Sequence, residues 1–385
     1  MAGHRICAEA RIRVGLWGIL ARMIRVCCSN RTEALLAAFV RNLQEEREQL
    51  GALVPTQVVV PNRNVETYLR LGLARAGGIA ANLHITFLRK LLSHVARQAL
   101  PGSRIVDAQQ IELHLLALFH DREFLGRSAT GPVREYLNAG GSARDAIDCR
   151  RCQLALQLGP LFEEYAASRT PMVEAWRGGT TLKDPVFAAT EAWQRALWLE
   201  IFGPGGRVEQ RARREGVTWL RIDELLSQAA AAGALALEGL GTRLHLFGAS
   251  YMAPSYHRML DLLGRHIDVV LYTLNPCREF WEDVETAGEL RRRLAKLPVV
   301  DPVDDPFGLA QPGENLPLRL WGRPGRENLR LLGNMESSVF EERFAPAERP
   351  TLLGRLQTDI LDRVVRDKPD PELRADPSLQ ILPCP

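Results

Sequence analysis

Apolar positions follow a strand-like pattern at both ends of this chain and a helical one between them. Ile24-Arg25-Val26-Cys27-Cys28 is a short run of strand length. Ser29-Asn30 then offers N-cap chemistry to a helix whose apolar face carries Leu35, Leu36, Phe39, Val40 and Leu43. A second strand, Gln57-Val58-Val59-Val60, is stopped by Pro61-Asn62, and a helix is predicted over about 64–76. Two strand–helix units in succession predict a parallel sheet with crossover helices.

From about 86 to 232 the spacing is mainly helical, as in 113–119, 154–162 and 192–201, which predicts a helical insertion. Strands resume with Arg243-Leu244-His245-Leu246-Phe247, ended by Gly248. A helix over about 254–263 and an apolar strand over 267–274 follow. The Pro- and Asp-rich stretch 298–317 reads as an irregular connection. A helix beyond Thr351 leads to a polar linker, and Ser378 begins a further strand. The expected division is 1–22, an extension before a start at Met23; 23–85, the first part of an α/β lobe; 86–232, the insertion; 233–365, the rest of the lobe; and 366–385, a linker opening a second lobe.

Composition adds limits. With 385 residues, 46% hydrophobic and 25% charged, the chain can bury a full core. No run approaches the roughly 20 apolar residues of a membrane span, so no membrane role is expected. Seven cysteines without framework spacing fit a reducing cytoplasm. A net charge of +3 does not by itself indicate nucleic-acid binding, which shows as clustered charge. Only Lys90, Lys183, Lys296 and Lys368 are lysines, an arginine excess that suits phosphate contact or reflects codon bias.

A nucleotide-phosphate loop needs glycines followed by Lys and Ser or Thr. The turn after the first strand is Ser29-Asn30-Arg31-Thr32, with one cation and no glycine. The strand ending at Phe247 exits into Gly248-Ala249-Ser250 without the carboxylate pair that would hold magnesium. Asp223-Glu224 fits a helix start. Cys149-Arg150-Arg151-Cys152 lacks a second ligand pair, and His245 and His257 lack a nucleophile partner. No catalytic, cofactor-binding or metal-binding residue is assigned. Basic clusters at Arg211, Arg213, Arg214, at Arg150, Arg151 and at Arg291, Arg292, Arg293 lie near acids, as on a solvated helix face. The last is the most concentrated and, with Arg31, is the candidate for DNA phosphate contact.

The stretch Phe247-Gly248-Ala249-Ser250-Tyr251-Met252-Ala253-Pro254, continued by 266–277 and Phe280-Trp281, resembles the RecC family. Asn275-Pro276-Cys277 with Trp281 beyond it is the most specific element. Ser29-Asn30-Arg31, Gly78-Ile79-Ala80-Ala81-Asn82, Leu161-Phe162-Glu163-Glu164-Tyr165 and Trp321-Gly322 match in the same order. The resemblance implies an α/β fold, an inactive superfamily 1 helicase-like lobe carrying a large helical insertion. It also implies a non-catalytic subunit of exodeoxyribonuclease V in recombinational repair. RecB and RecD would be its partners and would carry the ATP and magnesium, and double-stranded DNA ends and single strands would be handled. Asn275, Pro276, Cys277 and Trp281 are then structural signature residues. A protein-interaction module without DNA contact and an active helicase or nuclease remain alternatives.

Overall fold

In a computed structural model the described residues are 23–366 and 376–380, apart from 78, 140–143, 184–185, 233–240, 287, 291–313, 337 and 348–349. The first unit is β1 (Ile24–Ser29), α1 (Thr32–Leu50), β2 (Thr56–Val60), α2 (Arg63–Gly77) and β3 (Leu83–Phe87). The sheet resumes with β6 (Arg243–Phe247), α12 (Pro254–Gly264) and β7 (Asp268–Leu274). Helices α13 (Leu316–Trp321) and α14 (Arg323–Gly333) lead to β8 (Ser338–Glu342), and α15 (Leu352–Leu361) follows.

These strands form one six-stranded sheet in the order β3-β2-β6-β7-β1-β8. Every pairing is parallel, with Ile24 beside Val269 and Ser338, and Val58 beside His245 and Ile85. The four strands expected from the apolar runs are adjacent, as β2-β6-β7-β1. Alternation along each strand sorts side chains to two faces. Cys27, Val58, Val60, Phe247, Val270 and Tyr272 meet Leu35, Phe39 and Leu43 of α1 and Leu69 and Leu73 of α2. Ile24, Val26, Cys28, Val59, Leu244, Leu246, Val269 and Leu271 face α3 (Leu88–Ala99), α11 (Ile222–Ala231), α12 and α14.

Between β3 and β6 the chain leaves the sheet. Two strands of three residues, β4 (Ser103–Ile105) and β5 (Thr218–Leu220), pair with each other. Helices α4 (Ala108–His120), α5 (Arg122–Gly126), α6 (Gly131–Asn138), α7 (Arg144–Ser168), α8 (Thr170–Arg177), α9 (Ala188–Phe202) and α10 (Arg207–Glu215) build a separate apolar cluster running from Val106 to Val208. Gly159 lets α7 close on α4, since a Cβ there would lie 2.9 Å from the Ala108 carbonyl oxygen. Both α3 and α11 lie within 86–232, yet their buried residues join the sheet's cluster.

Several local expectations are corrected. Arg31 is the N-cap of α1 and makes no side-chain cap bond. The Ser29 and Asn30 side chains are engaged elsewhere, as described below. β3 and β8 are edge strands with half-exposed, mixed sequences, so they lack the apolar run that marks the inner strands. Pro317 lies in the first turn of α13, where a missing N–H costs nothing, so the expected irregular stretch does not reach it, and 298–313 lie outside the described residues. Ser378 sits in a turn rather than a strand, with its hydroxyl accepting from Leu353 N–H. Residues 381–385 lie outside the described ones.

Candidate functional site at the carboxyl edge of the sheet

An all-parallel sheet presents its strand ends on one side, where α/β proteins place their ligands. Here β1 delivers Ser29, β6 delivers Phe247 and Gly248, β7 delivers Leu274, and β8 delivers Glu342.

At the end of β1 the polar side chains are turned onto the segment that follows β8. Ser29 is fully buried; its hydroxyl donates to the Arg343 carbonyl at 2.8 Å and accepts from Arg31 N–H at 3.0 Å. Asn30 grips Ala345 from both sides, donating to its carbonyl at 2.8 Å and accepting from its N–H at 3.0 Å. The Arg31 guanidinium donates to the Pro346 carbonyl at 2.5 Å. Groups that a phosphate cradle would keep free are thus used to bind 343–346.

At the end of β7, Asn275 N–H donates to the Ser29 carbonyl at 2.9 Å, joining the two strand ends. Asn275 Oδ1 accepts from Cys277 N–H at 3.3 Å and from Trp281 Nε1–H at 3.0 Å. Cys277 and Trp281 are buried. The indole lies against Gly322 and Gly325, and a Cβ on Gly322 would sit 2.8 Å from the ring. Three segments converge here. Arg278 N–H donates to the Leu361 carbonyl at 2.9 Å. Asn315 Nδ2 donates to the Asp359 and Val364 carbonyls, each at 3.1 Å. Arg363 reaches Asp283 at 2.7 Å and also pairs with Glu314.

At the end of β6, Gly248 takes φ +77, a left-handed conformation that favours glycine. The Ala249 carbonyl accepts from Thr273 Oγ1 at 3.2 Å and Asn328 Nδ2 at 3.4 Å. Asn328 Oδ1 in turn faces His257 Nε2 at 3.2 Å. Burial pushes His257 down to about 4, against the opposing effect of Asn328. Glu289 is pushed up by burial, but hydrogen bonds from Arg326 and Thr286 overcome this and hold it at about 2.

Beneath the edge runs a buried polar chain that the apolar pattern alone did not reveal. Glu46 Oε2 lies 2.8 Å from His245 Nε2, His245 Nδ1 lies 3.0 Å from Tyr272 OH, and Asn42 Nδ2 donates to that OH at 2.8 Å. Burial pushes His245 below the usual histidine range and Tyr272 above the usual phenol range, so both are neutral at pH 7. With Nε2–H donating to Glu46, Nδ1 accepts from the Tyr272 hydroxyl, and the tyrosine oxygen accepts from Asn42. Each central group has its partner. The sequence signal was the phase of α1: Leu35, Phe39, Asn42 and Glu46 fall on one helical face, and all four are buried.

Arg291, Arg292 and Arg293 lie outside the described residues. In the cluster on α10 two of the three arginines are paired, Arg211 with Glu215 at 2.7 Å and Arg213 with Glu209. No group of three or more metal-ligating side chains occurs among the described residues. Cys149 and Cys152 are exposed on α7.

The family described as RecC, N-terminal domain, matches residues 24–363. The chain is 26% identical to the RecBCD enzyme subunit RecC of Escherichia coli strain K12, over 88% of this chain and 31% of that protein. It is 23% identical to the RecC subunit of Haemophilus influenzae, covering 90% and 34%. To that of Mycolicibacterium smegmatis it is 27% identical, covering 85% and 27%. The chain therefore spans about a third of the length of these curated relatives. With 24–363 of its 385 residues matched, this chain belongs to the RecC family, through that family's N-terminal domain.

Proposed function

We propose that this chain is a non-catalytic, DNA-handling and scaffolding lobe of a RecBCD helicase-nuclease, acting in double-strand-break repair by homologous recombination. Its partners are RecB and RecD subunits, which carry the ATP and magnesium, together with double-stranded DNA ends and single strands. It works in the cytoplasm; in keeping with that, no helix among the described residues is long and apolar enough to cross a membrane.

The observation that carries this reading is the family match together with the use of Ser29, Asn30 and Arg31 at the strand end where a nucleotide would bind. A lobe whose phosphate position is stitched to its own chain has binding, rather than turnover, to offer. The helicase-like ancestry of the lobe and the structural role of Asn275, Pro276, Cys277 and Trp281 belong to the same proposal.

A second reading, a protein-interaction module without DNA contact, is favoured by one observation. Several arginines of the helical segment are matched with carboxylates, as in Arg127 with Glu200 at 2.8 Å and Arg177 with Glu224 at 3.0 Å.

Two measurements test the proposal. Titration of the purified chain with a fluorescent ATP analogue and magnesium should give no saturable signal; saturable binding lost in Arg31→Ala would overturn the non-catalytic part. Co-expression with the RecB subunit of the same genome should yield a complex stable through gel filtration, and separate elution would overturn the scaffold part. Binding to RecB without binding to a forked duplex selects the second reading.

A further inference from the structure

The described residues include five free cysteines, of which Cys27, Cys28 and Cys277 are buried and Cys149 and Cys152 are exposed. Burial first, and neighbouring Glu341 second, push the Cys27 thiol up to about 12. Burial likewise raises Cys28 to about 12 and Cys277 to about 11. These three stay protonated at neutral pH and are closed to solvent, so among the described cysteines thiol chemistry is confined to α7.

Cys149 and Cys152 are three residues apart on that helix, and residues at this spacing share a face with Cβ atoms about 5–6 Å apart. A disulfide needs Cβ atoms about 3.5–4.5 Å apart, so the turn between them has to close by about 1–2 Å. The local packing allows it. Residues 145–153 carry no buried side chain; the partly buried Leu154 and the buried Ala155 are the first of α7 to meet the apolar cluster. This part of the helix is held by its own backbone bonds and by surface contacts, Arg151 to Asp148 at 2.7 Å and Arg150 to the Tyr136 carbonyl at 3.1 Å. Unwinding α7 from its start as far as Cys149 uncovers no buried side chain among residues 145–149 and frees the backbone there to bring the two sulfurs together without moving the apolar cluster.

We infer that Cys149 and Cys152 form a reversible two-electron redox site on the exposed face of α7, with a hydroperoxide as oxidant. One sulfur, as thiolate, attacks a peroxide oxygen; the O–O bond breaks, leaving a sulfenic acid, and the departing hydroxide takes up a proton and leaves as water. The second thiolate attacks the sulfenic sulfur, the S–O bond breaks, and a second hydroxide is protonated to water. The two sulfurs together lose two electrons, and hydrogen peroxide is reduced to two waters. A disulfide that strains its helix is readily reduced, so a dithiol reductant restores both thiols.

The sequence supplies its own assay, because Arg150 and Arg151 lie between the cysteines. Trypsin therefore places Cys149 and Cys152 in different peptides, which stay joined only if a disulfide links them. The full chain is treated with hydrogen peroxide, alkylated with iodoacetamide, digested and analysed by mass spectrometry. The expected product is the linked pair, lost after dithiothreitol and absent in Cys149→Ser and Cys152→Ser, with the helical circular dichroism unchanged. Unlinked peptides bearing sulfinic or sulfonic acid, a disulfide-linked dimer on a non-reducing gel, or loss of the folded signal on oxidation would each overturn the inference.

Discussion

Tyr272 is the residue on which the buried chain beneath the sheet depends. Its hydroxyl is the only group that serves both His245 and Asn42 in that chain. Removing it leaves a buried acceptor and a buried donor unpaired, at about 1–3 kcal/mol for each unsatisfied group. Tyr272→Phe is therefore expected to lower the urea midpoint with an unchanged slope. Glu46→Gln should cost less than Tyr272→Phe, because an amide oxygen can still accept from His245 Nε2–H. The opposite order would refute the tautomer assignment. Gly322→Ala tests the signature residues in the same way. Its Cβ would lie 2.3 Å from the Leu318 carbonyl oxygen and 2.8 Å from the Trp281 ring. Overpacking of this kind costs about 1–3 kcal/mol, which should appear as a lower melting temperature and altered tryptophan fluorescence. Sequence reasoning singled out Asn275, Cys277 and Trp281 by resemblance. It could not see that Ser29 and Asn30, assigned there to capping, bind 343–346 instead, because more than 300 residues separate the partners.

Among the elements, legibility tracks burial. β1, β2, β6 and β7 are covered on both faces and announce themselves as apolar runs, as inner parallel strands do. β3 and β8 each pair on one side only and carry His84 and Thr86, or Glu341 and Glu342, so no periodic signal separates them from loops. The packing of α12 on α14 carries a pH prediction. His257 has a folded pKa of about 4 against the ordinary histidine value of 6.5, so the unfolded chain binds more protons between those values. Its contribution is complete above about pH 6.5 and is lost as pH falls towards 4, by roughly 3 kcal/mol at most. Glu289, held at about 2 against 4.5, acts in the same direction lower down, losing its contribution as pH falls from 4.5 to 2. Stability should therefore begin to decline near pH 6.5 rather than only below 4.5. In His257→Gln, urea midpoints at pH 7 and pH 5 should move closer together than in the natural chain. An equal gap would assign the upper limb elsewhere, for example to His114, which burial and nearby arginines also hold at about 4.

At the scale of the molecule, the proposed DNA handling turns on which charges would face phosphate. Several described arginines are poor candidates for a footprint, because an arginine held by a carboxylate brings little net charge to a phosphate. Arg363 is shared between Asp283 and Glu314, Arg221 between Asp223 and Glu224, and Arg326 is buried against Glu289. Arg291, Arg292 and Arg293, consecutive and directly after Leu290, remain the most concentrated cations in the sequence. Each phosphate neutralised on duplex DNA releases about 0.9 counterion equivalents, so the slope of log affinity against log salt counts the contacts. Replacing all three arginines by glutamine keeps most of the side-chain length and removes the charge. If all three contact phosphate, the slope on a forked duplex should flatten by roughly 2.7, with different sequences weakened alike, because backbone contacts carry no base information. An unchanged slope would assign the cluster to a solvated helix face. On the proposed scaffold role, docking onto a RecB subunit should be the same in both proteins. A triple variant that loses both DNA and partner binding would instead mean that 291–293 support the fold, which a lowered melting temperature would reveal.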